Sequence, residues 1–274
     1  MIYKIIQPAI HLKSIVKDYL LLHYVFDHRN STPIKPFPAN TQHCLVFYLR
    51  GSITAFNPKT KLYTAFPKIS INGSQISRFD FHLSPQYSMF SINFQPGAMS
   101  KFLKTPLTTF MDERIDAEAV LGSGISEIYE QMVNTNCYES LIQIVEEYLS
   151  KSIQKLKNDD QPIDKIAQLI TQNPSNYTVD KMADLACLSI SQFERRFVQQ
   201  LGITPKFYAR INRFYQAYQI KDQNPEADWF SIAIKTGYYD YQHLVKDFKE
   251  FAHTSPHSLI EAQAQSPERF FGIG

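Results

Sequence analysis

Slid 51 positions along itself, the C-terminal part of this chain meets a second copy of its own pattern. In one copy Leu188-Ser189-Ile190-Ser191-Gln192-Phe193-Glu194-Arg195-Arg196-Phe197 runs on to Thr204-Pro205; in the other Tyr239-Asp240-Tyr241-Gln242-His243-Leu244-Val245-Lys246-Asp247-Phe248 runs on to Ser255-Pro256. Core position faces core position, and capping residue faces capping residue. Each copy reads as a helix, a tight turn and a second helix, which confines the segment to an all-α unit of two tandem helix-turn-helix modules. Such modules lay their second helix in a major groove, so the expected partner is double-stranded DNA read over two neighbouring segments.

Local chemistry supports each boundary. Thr178 is the expected N-cap of a helix carrying Val179, Met182, Ala183 and Leu185, and Ser189 with Gln192 forms a capping-box pattern on the next. On that second helix Ile190, Phe193, Phe197 and Leu201 share one side, while Ser191, Gln192, Arg195 and Gln199 share the other. In the second module Asp228 caps a helix through Trp229, Ile232 and Ala233, Gly237 is the expected left-handed stop, and Asp240 caps the reading helix. Its inner side is Leu244, Phe248 and Phe251 or Ala252, leaving Gln242, His243, Lys246 and Lys249 outward. Arginine pairs bidentately with guanine and glutamine with adenine, and Tyr241 offers an apolar edge to a thymine methyl.

Between the modules, Thr204 caps and Pro205 opens a helix that runs to about Gln223, before Asn224-Pro225. Roughly 18 residues at about 1.5 Å each make a rod near 27 Å, comparable to the roughly 34 Å between successive major-groove faces. Ile211, Phe214, Tyr215 and Tyr218 face inward, and Arg210 and Arg213 are expected to remain available for phosphates.

Residues 1 to about 110 read as short strands, Tyr19 to Phe26, His43 to Leu49, Ile53 to Phe56 and Tyr87 to Phe94 among them, broken by turn residues. A helix is expected near Ala9 to Asp18, and another from Ala98 to Lys104 after Pro96-Gly97. From 124 to 156, Ile125, Ile128, Tyr129, Met132, Leu141, Ile144, Val145, Tyr148 and Leu149 recur at helical spacing, giving two amphipathic helices joined near Asn134 to Asn136. Their stripe either covers the sheet or meets a second copy. The fold class is therefore an α+β domain, a short-stranded sheet or small barrel with helices, followed by an all-α double helix-turn-helix domain. Boundaries are expected at 1–156, a polar linker at 157–162, the helical domain at 163–262 and a C-terminal tail at 263–274.

Net charge is only +2, and residues 160–260 hold 11 Lys or Arg against 11 Asp or Glu. Basicity is local instead: Arg195, Arg196, Lys206, Arg210 and Arg213 lie close together, with Glu194 the one acid beside them. Three separated cysteines, Cys44, Cys137 and Cys187, argue against a disulfide framework or a zinc site. Without a leader or a long apolar run, a cytoplasmic location is expected. Enzymes are disfavoured because no GxSxG, HExxH, P-loop or GxGxxG is present. No catalytic residue, metal site or cofactor is expected, and His253 with His257 is placed on the surface of the last helix. The aromatic set Tyr48, Phe56, Tyr63, Phe66, Phe79, Phe81, Tyr87, Phe90 and Phe94 either lines a ligand pocket or is simply core.

The paired motif, with Gly237-Tyr238, Phe248 and Ser255-Pro256, resembles the DNA-binding domain of the AraC/XylS family of bacterial transcriptional regulators over about Pro162 to Ile260. The resemblance implies seven helices, the third and sixth entering adjacent major grooves. By position it places base reading on Ser191, Glu194 and Arg195 and on Tyr241, Gln242, Val245 and Lys246; Gln192 joins them from the wheel. Phosphate contacts are expected at Thr178, Arg196, Gln199, Lys206, Arg210, Arg213 and Lys249. Cys187 stands where the family usually has a turn glycine, and Ala252-His253 replaces the more usual Thr-Gly. Ile71-Asn72-Gly73 and Asn93-Phe94-Gln95-Pro96-Gly97-Ala98 with Phe102-Leu103 are similar to a sensor-like domain of a family subset. That likeness implies a regulatory or dimerising role, so the candidate partners beyond DNA are a small-molecule effector, a second copy and RNA polymerase.

Overall fold

The first domain is built from strands whose period-two alternation buries both faces. In this computed structural model, which describes residues 1–27, 31–135, 137–154 and 162–273, ten strands make two antiparallel sheets. They are β1 (Ile2–Ile6), β2 (Val16–Val25), β3 (Lys35–Phe37), β4 (Cys44–Arg50), β5 (Ile53–Phe56), β6 (Tyr63–Ala65), β7 (Ile69–Asn72), β8 (Phe79–Leu83), β9 (Gln86–Phe94) and β10 (Arg114–Asp116). One sheet runs β1-β2-β9-β4-β7-β10 and the other β3-β8-β5-β6. In β2, Tyr19 and Leu21 point to one side and Leu22 and Tyr24 to the other; the same alternation separates Leu45 and Phe47 from Val46 and Tyr48 in β4. The first set packs against helices and the second faces the opposing sheet, which is why these strands read as nearly continuous apolar runs.

Helices α1 (Ala98–Leu103), α2 (Ala117–Leu121), α3 (Gly124–Val133) and α4 (Tyr138–Ile153) follow. Ile125, Met132, Leu141, Val145 and Leu149 are fully buried in the cluster that holds Tyr19, Phe47 and Phe90. The stripe thus covers the sheet, the first of its two expected uses. Residue 136 of the expected joint lies outside the described residues, as does the expected linker save Pro162.

The early helix is a correction. Only a 3-10 turn, Ile10–Leu12, forms there, and β2 begins at Val16. Leu12, Val16 and Tyr19 have helical spacing, but β-branched Val16 extends and pairs with Phe94 of β9; pairing across the sheet overrides a three-residue period.

The second domain comprises α5 (Pro162–Gln172), α6 (Val179–Leu185), α7 (Ile190–Leu201), α8 (Pro205–Gln223), α9 (Trp229–Lys235), α10 (Tyr241–Phe251) and α11 (Pro256–Ala264). Its core joins Ile166, Ile170, Phe193, Phe197, Phe214, Phe248 and Phe251. Burying Phe193, Phe197 and Leu201 of α7 stabilises the domain by roughly 1.5–3 kcal/mol per side chain. The C-terminal tail packs on the β-domain: α12 (Pro267–Phe270) sets Phe270 and Phe271 against Phe26 at 5.8 and 5.1 Å and stacks Phe271 on Tyr24. Lys35 of β3 pairs with Glu268 at 3.0 Å. Among the described residues no helix is long and apolar enough to cross a membrane.

Candidate nucleic-acid interface

Every expected cap of the two modules forms. Thr178, Thr204, Asp228 and Asp240 accept from the amides of Lys181, Phe207, Ser231 and His243, and Ser189 and Gln192 complete a reciprocal capping box. Turn geometry repeats as well. Gly237 has φ +79°, and Cys187, its counterpart in the first module, takes φ +54°, a conformation that favours glycine. His253, the other departure from the family pattern, has φ +52°; it ends α10 instead of lying on the last helix, while His257 on α11 pairs with Glu261.

The capped starts of α6 and α9 are 50 positions apart, those of α7 and α10 are 51. The extra residue is Tyr239, 87% exposed in the second turn. It brings its ring to 5.9 Å from His243 on the first turn of α10.

On α7 the side chains of Ser191, Gln192, Glu194, Arg195, Arg196 and Gln199 are exposed, opposite buried Phe193, Phe197 and Leu201. Ile190, expected inward, is 47% exposed because it occupies the first helical position, beyond the end of the stripe that α6 covers. Gln192 lends its carbonyl oxygen to the Ser189 amide. On α10, Gln242, Lys246 and Lys249 are exposed, and Tyr241 and Val245 half-buried. Lys206 is exposed at the start of α8. Among the described residues Arg195, Arg196, Lys206, Lys246 and Lys249 form no ion pair.

Arg210 and Arg213 depart from expectation. Instead of standing free for phosphates, both turn to Asp247 of α10: Arg210 Nη2 donates to Oδ1 at 2.6 Å and Arg213 Nη2 to Oδ2 at 3.2 Å. The Tyr238 hydroxyl donates to Oδ2 at 2.9 Å, and Arg210 also pairs with Glu250. Arg213 lies 4.1 Å over the Tyr238 ring. Asp247 is only 4% exposed, and a buried carboxylate requires such partners, so the rod's two arginines fix the angle of α10 on α8. Burial, and then the adjoining carboxylate, raise the Tyr238 phenol well above its ordinary pKa. Asp247 was readable in principle: three residues after Leu244 and four before Phe251, it falls on the inner side of the wheel.

A second feature lies in the first domain. Between its two sheets is a cavity of about 660 Å³ lined by Leu20, Leu22, Val46, Phe81 and Met89, reaching Tyr208, Asn212 and Tyr215 on α8. Of the aromatic set, Tyr48, Phe66, Phe81, Tyr87 and Phe94 line it, whereas Phe56 and Tyr63 meet as a tilted pair, centroids 4.8 Å apart, on the smaller sheet. His43 also faces the cavity. Its Nε2 meets Ser74 Oγ at 3.0 Å, and that hydroxyl donates to the Leu201 carbonyl at the end of α7, so Nε2 carries the proton. Burial holds the imidazole pKa down to about 4.

Residues 4–116 match a family described as a domain of unknown function, DUF6597. Over 89 residues, 32% of its length, the chain is 30% identical to an uncharacterized HTH-type transcriptional regulator of Haemophilus influenzae, 29% of which is covered. Over 91 residues, 33% of its length, it is 28% identical to the HTH-type transcriptional regulator MtrA of Neisseria gonorrhoeae, 30% of which is covered. The match therefore spans under a third of these relatives. The crystal structure of ToxT from Vibrio cholerae superposes on 90% of this chain and 98% of its own at 13% identity, with a TM-score of 0.50, a likeness of fold.

Proposed function

We propose that the chain, a β-domain followed by a double helix-turn-helix domain, is a sequence-specific DNA-binding transcription regulator of the AraC/XylS type acting in the cytoplasm. One observation carries this reading: α7 and α10, each capped and buried along one stripe, hold exposed polar and basic faces while both pack on α8, α7 through Phe197 on Tyr208 and α10 through Asp247 on Arg210 and Arg213. In this reading Ser191, Gln192, Glu194 and Arg195 contact bases in one segment and Tyr241, Gln242, Val245 and Lys246 in the next. Thr178, Arg196, Gln199, Lys206 and Lys249 contact phosphates, while Arg210 and Arg213 are structural cations. Residues 1–156 regulate, and the cavity between the sheets supports a small-molecule effector there. No catalytic step is assigned to any residue.

The test is selection from a randomised duplex pool with the purified full chain. Arg195→Ala should cost about 1–3 kcal/mol on the selected site and relax preference at one base, whereas Lys206→Ala should weaken all duplexes alike and lower the salt slope by about one. Failure to enrich any sequence over competitor DNA overturns the proposal.

A further inference from the structure

Both reading helices end inside the protein, and the β-domain caps them. Leu201 and Phe251 are the last residues of α7 and α10 and are fully buried. A carbonyl in the last turn of a helix has no partner within that helix, and burying it without one is costly. Ser74 Oγ donates to the Leu201 carbonyl at 3.1 Å, and the Ala39 amide donates to the Phe251 carbonyl at 3.3 Å. Ala39, though it belongs to the first domain, is buried in the core of the second, and Ile76 packs against the same core. Thr41 Oγ1 donates to Asn212 Oδ1 of α8 at 3.1 Å. Two short segments of the β-domain thereby touch three helices: α7, α8 and α10.

The two segments are joined to each other. Asn40 and Gln75 form an antiparallel bridge, N–H to O at 2.9 Å in each direction, which sets Thr41 opposite Ser74 at one end and Ala39 opposite Ile76 at the other. Side chains brace the bridge from behind. Gln75 Nε2 donates to the carbonyls of Phe37 and Pro38 at 2.8 and 3.1 Å, and its Oε1 accepts from Arg114 Nη2. Arg114 of β10 is itself held between the rings of Phe66 and Phe79, 5.3 and 5.2 Å from their centroids. Asp112 Oδ1 accepts from the amides of Ile76 and Ser77 at 2.6 and 3.2 Å. The His43 proton on Ser74 Oγ leaves that hydroxyl to donate to α7.

On the rod, the two reading helices meet neighbouring residues. Phe197 of α7 packs on Tyr208 at 5.4 Å and Phe251 of α10 on Phe207 at 5.6 Å, so both straddle one turn of α8. A narrow footing gives leverage: α7 has 12 residues and is about 18 Å long, so a tilt of about 10° at its end moves its start by about 3 Å. That is close to one base-pair step of about 3.4 Å. We propose that the bridge of residues 39–41 and 74–76 is a positioning element that sets which spacing between two DNA segments the chain accepts, by fixing the ends of α7 and α10 relative to each other. This deepens the DNA-reading role proposed above and rests on it. The bridge residues act through the helix ends and touch no base.

Fluorescence-anisotropy titration of the full chain tests this, with three labelled duplexes: the selected site, and the same site with one base pair added or removed between its two segments. The readout is the ratio of affinities, because a variant that merely folds less well loses affinity for all three by one factor. The unmodified chain should prefer the selected spacing by about tenfold or more. Ser74→Ala and Gln75→Ala should each lower that ratio by about fivefold, with the preferred bases unchanged on reselection. Ile170→Val, which trims the same helical core on α5, should leave the ratio within about twofold. Where either bridge variant does not fold, Ala39→Gly, which removes one methyl group from the bridge, stands in for it. Equal binding of the three spacings by the unmodified chain overturns the proposal, as does a ratio unchanged in either bridge variant or lowered as much by Ile170→Val. A failure of the regulator reading is distinct, since it shows as absent sequence preference in the unmodified chain.

Discussion

Replacing Asp247 with alanine should destabilise the helical domain by about 3 kcal/mol, more than any other single exposed-face or rod substitution discussed above. The carboxylate accepts three hydrogen bonds, from Arg210, Arg213 and Tyr238. Hydrogen bonds to a charged group contribute about 1.5–3 kcal/mol when buried, and an orphaned buried hydroxyl costs about 1–3. The arginine side chains are 32% and 26% exposed, and Arg210 keeps Glu250, so each of those two bonds is discounted to about 1 kcal/mol for solvent screening. Tyr238, 3% exposed, loses its acceptor and contributes the remaining 1 kcal/mol or more. Asp247→Asn, which keeps the shape and one acceptor oxygen, should cost about half as much. Trp229 is the single tryptophan and meets the Phe248 ring at 5.3 Å, so its fluorescence reports this module during urea unfolding. In a double-mutant cycle, Arg213→Ala should cost about 1 kcal/mol less in the Asp247→Ala background than alone. A loss below about 1 kcal/mol for Asp247→Ala, or strictly additive costs, refutes the view that this carboxylate sets α10 on the rod.

Three further outcomes are expected. Cys187→Gly should raise stability by about 1 kcal/mol, since a left-handed residue with a Cβ is strained by about that much; Gly237→Ala should lower it by more, because the added carbon would also collide with the Ser175 side chain, and thermal melts of the pair check both signs. His43 has a folded pKa of about 4 against an ordinary 6.5, so the unfolded chain binds its proton first as pH falls; the stability is fully present above pH 6.5 and declines by roughly 3 kcal/mol by pH 4, a slope that His43→Gln should flatten in denaturant titrations. Phe271→Ala, removing ring contacts to Tyr24 and Phe26, should cost about 2 kcal/mol by urea midpoint and loosen the C-terminal segment from the β-domain, readable as faster amide exchange over residues 266–273.

Sequence reasoning succeeded where structure is local. Caps at Ser189, Thr204, Asp228 and Asp240, the ends of α8 and the left-handed Gly237 all follow from chemistry within four residues, and so they were legible. Strand order was not: β1 is an edge strand with exposed Tyr3, Lys4 and Ile5, showing no alternation. Arg210 and Arg213 looked free because their partners sit 34 to 40 positions away. The contacts from Ser74 and Ala39 to the ends of the reading helices span 127 and 212 positions, beyond any periodic signal. Arg114 was hidden among Asp112, Glu113 and Asp116, a run that reads as a solvated edge and turns inward only because β10 pairs with β7.

The central claim is that α7 and α10 engage one face of a duplex together. Hydroxyl-radical footprinting of the full chain on its selected site, with and without five base pairs inserted between the two protected segments, tests it most directly. The account predicts two protected segments about ten base pairs apart, and a loss of at least one of them when the insertion turns the second groove to the opposite face. A single protected segment on the parent site, or two segments unaffected by the insertion, would contradict it.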